Sequence, residues 1–405
     1  MNITALTDKA ELLSQVKFAE ISALSRFSSE KILRAFTNAR VSSADFAGTN
    51  GYGYGDTGRE RIDTVFAEIT GSEAALVRHN FINGTHAIAT ALFGVLRPGD
   101  LLLSVTGKPY NTLRDVISGK PGSLSAYNIA YDEISLLPDG EPDYAAIADK
   151  APRATAIFIQ RSRGYTFRPA LGIDTIAKIV SVAKLANPGV TVLVDNCYGE
   201  LTEKKEPTEV GADLIMGSLI KNFGGGITDT GGYIAGRADL VSLAADRLTT
   251  PGIGGEAGST GNANRGILIG LYHSGQAVGN ALRTAVFAQA LFGLMGYGVY
   301  PEYSGQHSDI VTLLELGSEE KLLKFCRAVQ GASPVDSFLT PEPWDMPGYD
   351  CRVVMAAGAF TMGASIELSA DAPVIPPYAV WFQGGNIYDT AKYGIVQAAA
   401  AIEEL

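Results

Sequence analysis

The chain lacks several features that would each have named a class. No run of about 18 uninterrupted apolar residues occurs, so no membrane-spanning helix is expected. Basic charge is short: 32 Lys and Arg stand against 43 Asp and Glu, a net charge of −11. Nucleic acid and anionic membrane surfaces need basic patches, so neither is an expected partner. Cysteine is scarce, and Cys197, Cys326 and Cys351 have no metal-ligand spacing, which fits a reducing cytoplasm. His79, His86, His273 and His307 form no metal-ligand pattern either. The first ten residues carry no apolar signal core. A phosphate loop of the G-x-x-x-x-G-K-[ST] type is absent, as is a G-x-S-x-G nucleophile elbow. Residues 252–257 fit a loose dinucleotide fingerprint, but Leu248-Thr249-Thr250-Pro251 precedes them where a strand is required.

What is present is apolar and patterned. Apolar residues make up 46% of the 405 and charged residues 19%, enough for a large core with room for a subunit interface. The length suggests more than one domain. Residues 8–40 read as an amphipathic helix. A glycine-rich break with two Tyr and an Arg follows at 48–59. From 61 to 250, helical patterns at 61–70, 85–96 and 173–186 alternate with strand patterns at 101–105, 154–160, 190–195, 212–218 and 231–235. That alternation predicts an α/β domain with a mostly parallel sheet covered on both faces. A long helix is expected at 265–295. Beyond Gly296 the order changes to a strand at 309–316, a helix at 319–329, paired strands near 352–360 and 364–368, and a last helix at 390–405. The expected division is a helical extension at 1–50, a large α/β domain at 51–295 and a small α+β domain at 296–405.

The chemistry concentrates where two of these strands end. One strand pattern closes on Asp195, the other on Ser218, with Lys221 three residues later and 26 positions after Asp195. A strand-end Lys and a buried Asp suit pyridoxal 5′-phosphate (PLP): the amine forms a Schiff base and the carboxylate keeps the pyridine nitrogen protonated. Asn83-Gly84-Thr85 opens an apolar helix, whose exposed N–H groups and dipole suit a phosphate. Ser218 is close enough in sequence to Lys221 to serve the same phosphate. Tyr110 follows the strand at 101–105, and a ring at that edge of an open sheet can stack on a planar cofactor.

Taken together, the motifs resemble the fold-type-I PLP enzymes of cysteine and methionine metabolism (aspartate aminotransferase fold). The closer match is the divergent branch of methionine γ-lyase family or aluminium-resistance proteins. It rests on residues 51–59 (Gly-Tyr-Gly-Tyr-Gly-Asp-Thr-Gly-Arg), 160–165 (Gln-Arg-Ser-Arg-Gly-Tyr), 194–200 (Val-Asp-Asn-Cys-Tyr-Gly-Glu), 217–222 (Gly-Ser-Leu-Ile-Lys-Asn) and 365–371 (Ser-Ile-Glu-Leu-Ser-Ala-Asp). The resemblance implies Lys221 as the Schiff-base lysine, Asp195 as pyridinium partner and Tyr110 as stacking ring. Asn83, Gly84, Thr85 and Ser218 would surround the phosphate. Tyr54 and Arg59 would reach the phosphate of a neighbouring subunit, in a dimer or dimer of dimers, and a residue among Arg161, Ser162 and Arg163 would meet the phenolic oxygen. Glu367 stands where better-known lyases carry the Arg that binds the substrate carboxylate, leaving Arg163, Arg168 and Arg352 as donors. The implied activity is carbon–sulfur cleavage of a sulfur amino acid in the cytoplasm. Aminotransfer, racemisation or a non-catalytic PLP-binding role stay open on the same scaffold.

Overall fold

The computed structural model describes residues 2–346 and 349–403. Strand parity builds its first layer. Along the strand 191–195, Val192 and Val194 enter one apolar cluster and Leu193 the other, so the strand is buried on both faces. Ile157 and Ile159 against Ala156 and Phe158, and Ile215 against Leu214 and Met216, repeat the division. Seven strands form this sheet: β1 (Ala74–Arg78), β2 (Leu101–Ser104), β3 (Ala130–Glu133), β4 (Ala156–Gln160), β5 (Thr191–Asp195), β6 (Leu214–Ser218) and β7 (Gly232–Gly236). Their order is β1-β7-β6-β5-β4-β2-β3, and β7 alone runs against its neighbours.

The helices are α1 (Ile3–Asn38), α2 (Thr57–Thr70), α3 (Gly84–Val95), α4 (Asn111–Ile117), α5 (Tyr144–Lys150), α6 (Ile173–Ala186), α7 (Ala238–Leu248), α8 (Ala263–Leu294), α9 (Glu319–Gly331) and α10 (Tyr388–Glu403). The first sheet packs α3, α4 and α7 on one face and α2, α5, α6 and α8 on the other. α1 begins earlier than its apolar periodicity suggests, because the Asn2 side chain caps it by accepting from the Ala5 N–H at 3.1 Å. It lies tightly along α8. The Ser25 hydroxyl donates to the Gly275 carbonyl at 2.8 Å, and a Cβ at Gly279 would sit 2.7 Å from the Ser25 Oγ. Only glycine permits that approach.

The second sheet holds β8 (Gly298–Tyr300), β9 (Val311–Glu315), β10 (Val353–Ala356), β11 (Ser369–Pro373) and β12 (Ala379–Gln383). All its pairings are antiparallel, in the order β10-β11-β12-β9-β8. Ala370, Ala372, Val380 and Phe382 join the main core with α9 and α10. Val311, Leu313, Ala379 and Trp381 occupy the opposite face, packed by Tyr165 and Tyr198 from the first sheet's loops.

One expected element is displaced. Residues 364–368 are not a strand, and the partner of β10 is β11. The Glu367 carboxylate explains the shift. It accepts from the backbone N–H groups of Phe360 at 3.1 Å and Thr361 at 2.9 Å, and the Glu367 N–H donates to Ser365 Oγ. A side chain satisfies donors that a ladder would have used. β1, β3, β8, α5, α7 and β12 are present without having been anticipated.

Candidate active site

The same parity that fills the core aims three side chains at one point. Gln160, Asp195 and Ser218 end β4, β5 and β6, and each continues the face occupied by Phe158, Leu193 and Met216. α3 covers that face. Its first residue, Gly84, comes so close that an added Cβ would meet Cys197 Sγ at 3.2 Å, Ser218 Cβ at 3.3 Å and the Ser218 nitrogen at 3.4 Å. Asn83 caps the helix by accepting from the His86 N–H at 2.9 Å, so the Gly84 and Thr85 N–H groups have no acceptor within the helix. The result is a positive, glycine-floored cradle beside Ser218.

Tyr110 closes this side. Its N–H donates to Gln160 Oε1 at 3.0 Å, and its hydroxyl lies 2.9 Å from Thr85 Oγ1. Burial holds that phenol well above its ordinary pKa. Asp195 accepts from the Cys197 N–H at 3.1 Å through Oδ1. Burial raises its pKa, while the Cys197 backbone, Lys221 and Arg168 pull the other way.

Lys221 stands between two walls. Its Nζ donates to the Ala364 carbonyl at 3.2 Å and lies 3.6 Å above the Tyr198 ring centroid, a cation–π distance. Burial lowers its pKa, Tyr198 and Cys197 raise it, and the balance lies above the ordinary lysine value. The Ile366 N–H donates to the Ile220 carbonyl, which ties the second sheet's loop to the lysine's own backbone.

The far wall was not foreseen. Asp371 shares a face of β11 with its cross-strand partner Trp381 on β12. Trp381 lies 5.4 Å from Tyr165, which lies 5.6 Å from Tyr349, ring centroid to centroid. Burial pushes the Asp371 carboxyl up to about 6, while Tyr165 and Lys221 lower it. Below Lys221, Glu200 is buried and accepts from the Tyr233 hydroxyl at 2.7 Å, and burial lifts its carboxyl to about 8. Cys197, Tyr198 and Glu200 directly follow Asp195, so that adjacency was a usable signal. Asp371 ends a recognised motif, but nothing in a linear sequence says which face of β11 meets the lysine.

Lys221, Asp195, Tyr110, Asn83, Gly84, Thr85 and Ser218 are brought together, whereas Tyr54, Arg59, Arg163 and Arg352 sit elsewhere. Arg59 is only 1% exposed and does not project from the chain. Its guanidinium donates to the carbonyls of Gly53, Gly258 and Glu256 at 2.7–2.8 Å, pinning the glycine loop to the second glycine-rich stretch. A side chain so enclosed has no surface to offer a neighbouring subunit. Tyr54 is 62% exposed and does project. Arg163 donates to the Tyr300 carbonyl at 3.0 Å and lies 3.8 Å from Asp309, joining the two sheets' loops. Arg168 is the guanidinium whose field reaches Asp195. Arg352 is exposed at the edge of β10.

The methionine gamma-lyase family profile matches residues 3–403. A carbon-sulfur lyase involved in aluminum resistance from Clostridium novyi NT is 44% identical, with 98% of this chain and 95% of that chain covered and a TM-score of 0.95. A proposed cystathionine beta-lyase involved in aluminum resistance from Listeria monocytogenes is 42% identical, with 98% and 100% covered and a TM-score of 0.97. The uncharacterized protein YnbB of Bacillus subtilis (strain 168) is 41% identical over 404 residues, 98% of this chain and 96% of its own length.

Proposed function

This chain belongs to the methionine gamma-lyase family, and from that premise we propose that it is a PLP-dependent carbon–sulfur lyase of fold type I, acting on a sulfur-containing amino acid by β- or γ-elimination. The observation that carries the reading is the convergence of Lys221, Asp195 and the Gly84 cradle at one edge of the first sheet. The residues fit the cofactor. Gly84 lets the start of α3 lie directly against Ser218 and Cys197, where an added Cβ would meet both at 3.2–3.4 Å. Asp195 is a fully enclosed carboxylate with one oxygen already oriented by the Cys197 N–H, suited to a protonated ring nitrogen.

When bound, PLP supplies an electron sink conjugated to the α-carbon of the amino acid. The chain's own groups divide the remaining work. Gly84, Thr85 and Ser218 would hold the phosphate, and Tyr110, braced by Thr85 and Gln160, would stack on the ring. Lys221 would take the α-proton at Nζ and return a proton to the product. Asp195 would keep the pyridine nitrogen of the bound cofactor protonated. We assign Tyr54, on the projecting loop, to a second subunit's site, in a dimer or larger assembly with shared sites. Arg168 is our candidate for the substrate carboxylate, since its charge acts on Asp195 while Arg163 is held by the Tyr300 carbonyl and Asp309. We propose that the division between the large and small domains falls at Gly296, between α8 and β8.

Borohydride reduction of PLP-loaded protein followed by peptide mapping should place the pyridoxyl mass on Lys221. Incubation with a panel of sulfur amino acids should release a 2-keto acid, ammonia and a thiol. A label on another lysine, or an exchanged amino group in place of the keto acid and ammonia, would overturn the reading.

A further inference from the structure

One contact at the lysine has no task in the proposed chemistry. Lys221 Nζ lies 3.6 Å above the centroid of the Tyr198 ring. The ring reaches the amine from a constrained backbone. Tyr198 has a φ of 68° and Leu201 a φ of 60°, both in the left-handed region. Residues with a Cβ avoid that region unless their surroundings impose it, and such residues cluster at functional sites. Here the imposing contacts are visible. The Tyr198 carbonyl accepts from Asn222 Nδ2 at 3.0 Å and from the Ile310 N–H at 3.2 Å. Asn222 Nδ2 also donates to the Glu200 carbonyl at 2.8 Å.

These bonds close a short circuit. Asn222 follows Lys221 in the chain and is fully buried. Its side chain grips the carbonyl of the residue whose ring meets the lysine's own amine. Ring and amine are therefore held relative to each other by neighbouring backbone. Ile310 brings in the second sheet, since it immediately precedes β9. Tyr198 also packs on the face of that sheet formed by Val311, Leu313, Ala379 and Trp381. The ring thus bridges the second sheet and the amine, while the Ala364 carbonyl accepts from Nζ at 3.2 Å. The other titratable groups facing Nζ are Asp195, Cys197 and Glu200 from the segment after β5, Asp371 on β11, and Tyr349. Burial raises both the Cys197 thiol and the Glu200 carboxyl, so these two keep their protons at neutral pH. The ring face acts on Nζ whatever the state of these groups.

We propose that Tyr198 is the positioning residue of Lys221: its ring face fixes Nζ and favours the amine once it has taken a proton. The inference rests on the lyase reading and adds a residue to that site. When the substrate's α-C–H bond breaks, its electron pair stays on the carbon side and the proton forms an N–H bond at Nζ. A neutral amine becomes an ammonium over the ring. Ring faces attract cations, so the contact strengthens as that transfer proceeds. The proton is then kept at Nζ for return to the product. Asn222 acts one step further back, by holding the ring.

Two measurements test this. In the full chain freed of cofactor, the rate at which acetic anhydride labels Lys221 across a pH series reports the amine's pKa, read by peptide mass. Tyr198→Leu should lower that pKa by about one unit. Tyr198→Phe keeps the face and loses the hydroxyl, and its pKa should stay within about 0.3 units of wild type. In PLP-loaded enzyme with L-cystathionine as the probe, Tyr198→Leu should lower kcat by about 30-fold with KM changed by less than about threefold. Tyr198→Phe should recover at least about a third of the wild-type kcat. Asn222→Ala should give a smaller fall in kcat of the same kind. Equal losses in the Leu and Phe variants would overturn the proposal and pass the role to the hydroxyl. A Leu variant with an unchanged pKa, or with KM raised and kcat intact, would reduce the ring to packing and also overturn it. Should Tyr198→Leu fail to fold, 3,4,5-trifluorophenylalanine in place of Tyr198 keeps the shape and weakens the face. It should lower the pKa by about half a unit relative to Tyr198→Phe, and an unchanged value would defeat the proposal. Absence of keto acid from every sulfur amino acid would sink the lyase reading, while the labelling series, which needs no substrate, would still decide whether the ring holds the amine.

Discussion

The two walls of the site are built by opposite rules. On the first sheet the chemistry sits at strand ends: Gln160, Asp195 and Ser218 close three adjacent strands, and Lys221 follows within a turn. On the second sheet it sits in mid-strand, with Asp371 and Trp381 facing each other across β11 and β12. Strand ends are marked in the chain itself, by an apolar run that stops at a polar residue. A mid-strand position acquires its role only from what packs over that face. The buried carboxyls on the two sides differ accordingly. Glu200, beneath Lys221, is lifted to about 8 and holds its proton at neutral pH, whereas Asp371 at about 6 releases it.

The comparison breaks most decisively at the lysine. Lys221→Ala removes the nucleophile and the α-proton carrier together, and turnover should fall by roughly 10⁴-fold or more. Keto-acid release measures this, and the visible absorbance of the lysine-linked cofactor should vanish with it. Activity within tenfold of wild type would remove the first wall's claim to the chemistry.

Asp195→Asn should be next, with turnover lowered on the order of 10²–10³-fold while cofactor content stays near stoichiometric. Asparagine keeps a hydrogen bond but cannot balance a positive ring nitrogen. Loss of cofactor instead of rate would assign Asp195 to binding.

The two carboxyls give a comparison in pH. A carboxyl raised in the native state holds a proton that the unfolded chain has released, so its effect lowers stability as pH rises from the unfolded value toward the native one. For Glu200 that window runs from 4.5 to about 8, and for Asp371 from 3.8 to about 6. Glu200→Gln should flatten the fall of Tm with pH across the first window, by the equivalent of roughly 5 kcal/mol at most. Asp371→Asn should flatten only the lower window. A Glu200→Gln profile parallel to wild type between pH 5 and about 8 would contradict the burial argument.

Gly84→Ala is the mildest probe. Its added Cβ would press Cys197 Sγ and Ser218 Cβ at 3.2 and 3.3 Å, so neighbours must shift by tenths of an ångström. Cofactor affinity should weaken by about tenfold with kcat little changed in saturated enzyme. Equilibrium dialysis against PLP measures it, and unaltered affinity would mean that the cradle does not carry the phosphate.

The chain by itself determined the mostly parallel first sheet and the cluster around Lys221, Asp195, Ser218 and Gly84, because apolar alternation and local turn chemistry are written in consecutive residues. It also contained the signs for Cys197 and Tyr198, which sit one turn past Asp195. Tertiary structure alone decided the rest. Arg59 occupies a loop rich in Tyr and Gly, yet it is drawn inward because three carbonyls of distant segments need donors. Arg163 bonds the Tyr300 carbonyl for the same reason. Glu367 lies within a strand-like pattern, but its carboxylate captures the N–H groups of Phe360 and Thr361 and turns the segment into a loop. Asp371 shares the Trp381 face of β11, within electrostatic reach of Lys221, because the other face is filled by alanines against the main core. Each outcome depends on partners far apart in sequence, where the demand to satisfy buried polar groups outweighs local preference.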